Sequence, residues 1–180
     1  MSGRFIAVVG PSGVGKDSVM EALAAADPRI VLARRVITRP SALGGETFEG
    51  ITEEEFHVRS TAEEFALSWT AHGLHYGIPA TVESQLQDGR DILANLSRSV
   101  LTRAMDRFAR LEVINLTANH DILAARLAAR GRETAQQIEH RLERAATPVP
   151  NGITAFTIDN SGPLTQTVQA ILARLYPVRV

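Results

Sequence analysis

Phe5-Ile-Ala-Val-Val-Gly10-Pro-Ser-Gly-Val-Gly-Lys16-Asp17-Ser18 is the stretch on which the fold turns. The apolar run at 5–9, with β-branched members, reads as a buried strand. Gly10, Pro11, Ser12, Gly13, Val14 and Gly15 form a glycine-rich turn, and Lys16, Asp17 and Ser18 lead into helical spacing over residues 17–25. Strand, glycine loop, lysine and helix in this register match a phosphate-binding loop. The glycines let successive backbone N–H groups point inward around a phosphate. The helix N-terminus adds partial positive charge, and Lys16 supplies a full one at the β and γ phosphates of a nucleotide. A strand-to-helix turn that binds nothing is the competing reading, and the shared register of all four parts argues against it.

The residue after the lysine is usually Ser or Thr, whose hydroxyl ligates Mg²⁺. Here it is Asp17, with Ser18 one step later. A carboxylate at a helix start suits a hard cation, which makes Asp17 the candidate Mg²⁺ ligand; a plain helix N-cap is the alternative.

The chain has 180 residues, 44% hydrophobic and 22% charged, with 19 basic and 20 acidic side chains and a net charge of −1. That is one soluble domain with a sizeable core, and it gives no global electrostatic reason to bind nucleic acid or an anionic membrane. Any anion site must be local. Cysteine is absent, which excludes disulfides, thiolate metal sites and cysteine nucleophiles. Lys16 is the only lysine; the other basic residues are arginines. The early apolar run is far short of the roughly 20 residues that span a bilayer, so a cytoplasmic location is expected.

Further strand-like runs fall at 30–37, 91–96, 111–116 and 155–158, and helical spacing at 81–87, 97–108, 120–130, 134–146 and 164–175. The alternation predicts an α/β fold: a mainly parallel five-stranded sheet with helices on both faces and ligands at the carboxyl ends of its strands. Residues 34–79 break the alternation, with Gly, Glu, Thr and Pro and only short apolar pieces, and read as a functional insertion.

A phosphate loop does not choose among nucleotide-binding classes. The Asn-Lys-x-Asp guanine motif of GTPases is impossible with one lysine. Gly10 to Lys16, Thr38-Arg39-Pro40 with Gly45-Glu46, Trp69 with Gly73-Leu-His-Tyr76-Gly77, and Arg126-Leu-Ala-Ala-Arg130-Gly131 with Arg141-Leu142 resemble, in order and over nearly the whole chain, the guanylate kinase family. The resemblance implies a P-loop kinase with an acceptor-binding insertion at about 34–79 and a mobile lid at about 130–141. It makes Arg130 and Arg141 lid arginines closing over the donor phosphates, and Arg39 and Tyr76 ligands of an acceptor phosphate. It sets Asn160 near the donor base, where a turn before the last helix is an equal reading. Spacing alone puts Arg126 and Arg144 on a solvated helix face.

The acids with which guanylate kinases read guanine are missing: Ser68 stands before Trp69, Asn95-Leu-Ser97 replaces Asp-x-Asp, and Ser41-Ala42 follows Arg39-Pro40 without a second arginine. These departures, with Lys16-Asp17-Ser18, Phe65-Ala-Leu-Ser-Trp69, Ala71-His72-Gly-Leu-His75-Tyr-Gly-Ile-Pro79 and Asn95-Leu-Ser-Arg98, resemble the ribose 1,5-bisphosphate phosphokinase family. That resemblance implies ATP and Mg²⁺ as cofactors and a small sugar phosphate as partner. The γ-phosphoryl passes to the 1-phosphate of ribose 1,5-bisphosphate, giving 5-phosphoribosyl 1-diphosphate in phosphonate breakdown. It adds Asn95, His72 and His75 to the acceptor-binding candidates, although either histidine is equally an exposed loop residue; Trp69 reads as packing. A GMP kinase is the alternative. A non-catalytic guanylate-kinase-like module is a third, disfavoured by the intact Gly15 and Lys16.

Overall fold

A computed structural model describes residues 2–40, 47–131, 134–145 and 148–177, with the side chains at 141, 144 and 145 outside that description. The alternating segments build one sheet from β1 (Phe5–Val9), β2 (Ile30–Leu32), β7 (Asp91–Asn95), β8 (Leu111–Thr117) and β9 (Phe156–Asp159). Its order is β2-β7-β1-β8-β9, and every pairing is parallel.

The central strand shows why the apolar runs are continuous. All five β1 residues are buried, and its alternate side chains enter two different cores. Phe5, Ala7 and Val9 pack with Val82 of α3 (Thr81–Gln87) and with Leu101 and Ala104 of α4 (Leu101–Arg107). Phe5 also stacks on Phe108, with ring centroids 3.9 Å apart. Ile6 and Val8 pack with Val19 and Leu23 of α1 (Lys16–Ala26), Leu123 of α5 (His120–Ala129) and Ile171 of α7 (Leu164–Leu175). Helices therefore cover both faces, and a strand buried on both sides has no polar alternation to show.

Three expectations change. The apolar run 30–37 is not one strand. After β2 the chain passes through Ala33, Arg34 and Arg35 into β3 (Val36–Ile37), which belongs to a second sheet. Nor is the 34–79 segment mainly irregular. It forms that second sheet, in the order β4-β3-β6-β5, from β3, β4 (Glu49–Gly50), β5 (Phe65–Ala71) and β6 (Leu74–Pro79), together with α2 (Glu53–Thr61). The predicted helix over 97–108 divides into a 3-10 turn, Arg98–Val100, and α4.

Local chemistry accounts for these pieces. The β5–β6 hairpin closes through His72 and Gly73, at φ 52° and 74°, the two positive-φ positions of a type I′ turn. Thr52 caps α2, its Oγ1 accepting from the Glu55 N–H at 3.1 Å, and Glu53 to Glu55 sit in the first turn, where the helix dipole favours acids. Arg59 joins α2 to β4 through Glu49 and to the start of β5 through Glu64, each at 2.8 Å. α6 (Ala135–Ala145) begins with reciprocal hydrogen bonds between Thr134 and Gln137.

The amino ends of the strands are locked together by Arg4. It donates to Asp91 at the start of β7, to Glu112 of β8 and to the Leu175 carbonyl of α7. Tyr176 adds a 2.6 Å hydrogen bond to the same Asp91 oxygen. Burial alone would raise the Asp91 carboxyl, but the donors from Arg4 and Tyr176 outweigh it and hold the group below the ordinary carboxylate range.

Asp91→Asn is expected to cost about 2–4 kcal/mol in urea unfolding at neutral pH, because it leaves Arg4 partly uncompensated. A carboxyl with a depressed folded pKa contributes its full stability above the unfolded value near 4 and loses it as the pH falls through the lower folded value. The gap between wild type and variant should therefore narrow in acid.

Candidate active site

In the core sheet β1 and β8 are neighbours, yet the chain leaves β1 towards β2 on one side and leaves β8 towards β9 on the other. Such a switch point opens a crevice at the carboxyl ends of the strands. Residues 10–15 lie there, directly after β1 and before α1.

The loop is held from behind. The Val14 carbonyl accepts from Asn160 Nδ2 at 2.8 Å and from an Arg126 guanidinium nitrogen at 3.2 Å. Asn160 is buried, and its Oδ1 accepts from Thr167 Oγ1 at 2.7 Å, while Arg126 also bonds the Asn160 carbonyl at 2.8 Å. A trans peptide points its C=O and N–H oppositely, so pinning the Val14 carbonyl turns the Gly15 N–H away from Asn160. Gly15 has φ 94°, and a Cβ there would lie 2.9 Å from Asn160 Nδ2, which leaves room for glycine alone. Arg126 is thus a brace rather than part of a solvated face. The Asn160 amide bonds the loop on one side and α7 on the other, so it braces the glycine-rich loop.

Lys16 curls back onto the loop, its Nζ donating to the carbonyls of Gly10 at 2.8 Å and Pro11 at 3.2 Å. Burial pushes its pKa down to about 8; Asp17 opposes the shift, while the charges of Arg35, Arg98 and Arg130 reinforce it. These three arginines come from the link between β2 and β3, the turn after β7 and the end of α5. Arg35 is itself lowered to about 10 by burial, with Tyr76 and Asp17 opposing and Arg39 adding repulsion. Arg35 lies over the Tyr76 ring at 5.3 Å from its centroid, and Tyr76 stacks on Trp69 at 5.3 Å. Arg39 lies 4.5 Å over Phe48.

Asp17 is the carboxylate set among these charges, its Oδ1 accepting from Asn95 Nδ2 at 3.2 Å. No cluster of three or more His, Asp or Glu suited to a metal occurs among the described residues. Mg²⁺ takes one or two carboxylates and completes its shell with phosphates and water. Asp17, half-buried beside Lys16, is placed to supply the one protein carboxylate; Ser18 is exposed on the helix beyond it.

The two histidines lie elsewhere. His72 is exposed at the hairpin tip. His75 points to the face of β6 opposite Tyr76, as strand alternation requires, and stacks on Phe56 of α2 at 5.3 Å, with its Nδ1 3.0 Å from Thr70 Oγ1. His72 thus takes the exposed loop position that was its equal reading, and His75 lies on the face of β6 away from Tyr76. Arg141 has its side chain outside the described residues, as does the whole Ser41–Glu46 stretch. Arg98 and Arg35 are the cations that motif matching underweighted, because nothing in their spacing shows that the chain returns them to Lys16.

No protein-family model matches the chain. Among curated proteins, ribose 1,5-bisphosphate phosphokinase PhnN of Ruegeria sp. (strain TM1040) is 49% identical over 174 residues, covering 94% of this chain and 92% of that protein. Its namesake from Agrobacterium fabrum is 44% identical, with 93% of each chain covered. The chain belongs to the ribose 1,5-bisphosphate phosphokinase family. Within that family it also matches a bifunctional ribose 1,5-bisphosphokinase-thymidine phosphorylase of Cupriavidus necator at 47% identity, spanning 27% of that longer protein. Among solved structures, guanylate kinase from Anaplasma phagocytophilum shares the fold at TM-score 0.73 and 16% identity, with 99% of this chain and 88% of that one covered.

Asn160→Ala should weaken ATP binding at least tenfold in a calorimetric titration, the scale of losing one to two well-placed hydrogen bonds at about 1–3 kcal/mol, while leaving the preference between ATP and GTP unchanged. A shifted base preference would return Asn160 to the base. With Lys16 at about 8 in the free protein, polyphosphate binding at pH 8.5 is expected to take up protons. The uptake, read from calorimetry in buffers of different ionisation heat, should fade towards pH 6.5, where the ammonium is already charged.

Proposed function

We propose that this chain transfers the γ-phosphoryl group of ATP to the 1-phosphate of ribose 1,5-bisphosphate, releasing ADP and 5-phosphoribosyl 1-diphosphate. The observation that carries the chemistry is the concentration of positive charge at the loop, where Lys16 feels Arg35, Arg98 and Arg130 against the single carboxylate of Asp17. Two polyphosphate substrates would supply the missing negative charge. The identity of the acceptor is supported by the names of the curated relatives at 39% to 49% identity.

In this reading the loop N–H groups and Lys16 hold the β and γ phosphates of the donor. Asp17 would hold Mg²⁺, which when bound would supply charge neutralisation at the phosphates. Arg39 and Tyr76 present the acceptor from the insertion, Arg130 and Arg141 close from the lid at about 130–141, and Asn95 fixes the Asp17 carboxylate. An oxygen of the acceptor 1-phosphate attacks the γ-phosphorus while the bond to the β-γ bridging oxygen breaks, and ADP leaves with that electron pair. The nucleophile is already ionised near neutral pH, so no general base is required. This suits a site where catalysis is positioning and electrostatics. The same reading assigns the enzyme to phosphonate catabolism and to the cytoplasm.

A GMP kinase is not favoured. Ser68 and Asn95 carry no carboxylate, and the Asn95 amide donates to Asp17, so neither position offers guanine an acid.

A coupled ADP-release assay with purified protein, ATP, Mg²⁺ and each acceptor in turn should give turnover with ribose 1,5-bisphosphate and at least a hundredfold less with GMP. The reverse order would sink the assignment. Lys16→Met should lower kcat by at least a thousandfold, about 4 kcal/mol of transition-state stabilisation, with the thermal midpoint unchanged or raised, since it removes a buried charge.

A further inference from the structure

Three strand ends meet beneath the phosphate loop, and one of them carries a cation to which neither sequence motif nor fold gives a task. Arg98 opens the 3-10 turn after β7, three residues beyond Asn95. One of its terminal nitrogens donates to Asn115 Oδ1 at 3.3 Å. Asn115 lies on β8 in register with Val9, the residue before Gly10, so the guanidinium is tied across the base of the loop. Its Nε is shielded from solvent and meets no acceptor among the described residues.

The contact to Asn115 is long and neutral, and no carboxylate among the described residues ion-pairs with Arg98. Burial alone accounts for the lowering of its pKa. A half-buried guanidinium held this way is unfavourable in the free protein, and a protein that needed only a tie between β7 and β8 could use a neutral side chain. Its charge reaches Lys16, as does that of Arg35, whose own nitrogen donates to the Asn95 carbonyl at 3.2 Å. The end of β7 is therefore bracketed by two guanidinium groups, one tied to Asn115 and one to the Asn95 carbonyl, and the charge of each acts on the Lys16 amine.

We propose that Arg98 binds the acceptor phosphate that receives the phosphoryl group, gripping it from the β7 side while Arg39 and Tyr76 grip from the insertion. The inference rests on the acceptor reading above and deepens it. Two phosphates brought within bonding distance repel each other, and a guanidinium between strand and loop offsets that repulsion without taking a lone pair from the attacking oxygen. A neutral hydroxyl acceptor would leave the same cation without its partner, so Arg98 selects for an acceptor that carries its charge at the reacting end.

Arg98→Gln and Arg98→Lys test this in steady-state kinetics with ATP and ribose 1,5-bisphosphate. Arg98→Gln is expected to raise KM for the sugar bisphosphate at least tenfold, with KM for ATP within twofold and the thermal midpoint unchanged; Arg98→Lys should fall between it and wild type. An unchanged acceptor KM overturns the proposal. So does an equal rise in both KM values with a lowered midpoint, which would make Arg98 a tie between β7 and β8. Should the glutamine variant fail to fold, the lysine variant carries the same expectation, a raised acceptor KM beside an unchanged ATP KM. If wild type does not turn over ribose 1,5-bisphosphate, the acceptor reading fails separately. Both variants are then compared on the phosphate acceptor that wild type does use, where an unaltered acceptor KM again overturns the assignment.

Discussion

An ammonium group folded onto the carbonyls of its own loop is the constraint around which the rest of this molecule is arranged. Lys16 reaches Gly10 and Pro11 only because the chain reverses tightly after β1, and the reversal holds only because Asn160 and Arg126 seize the Val14 carbonyl from outside. Those two residues arrive from the end of β9 and from α5, so the loop cannot take its shape until the far half of the chain has docked. The phosphate site is local in sequence but depends on long-range contacts. Closing the sheet and forming the site are one event.

The chain solves both its structural and its electrostatic problems with arginine, and partners separate the two uses. Arg4 and Arg59 end on carboxylates, and Arg126 on backbone carbonyls. Around Lys16 the balance reverses, with several guanidinium groups acting on a single carboxylate. The amino ends of the strands, locked by Arg4 and Asp91, and the carboxyl ends, loaded with charge, therefore have opposite characters. Stability at the first helps the fold tolerate repulsion at the second.

The core strands were legible from their apolar runs, most fully β1 and β7, whose residues are all buried, and the loop because its glycines, lysine and helix start stand in fixed register. The second sheet was not legible. β3 and β4 are two residues each, too short for a period, and the apolar run through Val36 gives no sign that the chain changes sheets at Arg34 and Arg35. At the site, Lys16 and Asp17 were readable together, whereas Asn95, expected on the acceptor side, meets the Asp17 carboxylate only in three dimensions. Side-chain direction was not: one step along β6 separates Tyr76, beside Arg35, from His75, against α2. For Asn160 a motif records only position in the chain, whereas its buried hydrogen bonds to Val14 and Thr167 exist only in three dimensions.

The arginine-for-lysine habit of this chain also has a chemical consequence. Lys16 carries the only lysine amine in 180 residues, and burial lowers its pKa to about 8, so more of it is uncharged in mild alkali than of an ordinary lysine. An amine-directed acylating reagent therefore has one internal target, seated where the nucleotide phosphates would lie. Loss of that label in the presence of nucleotide would count occupied sites directly, which makes the protein a natural reporter of its own ligation state.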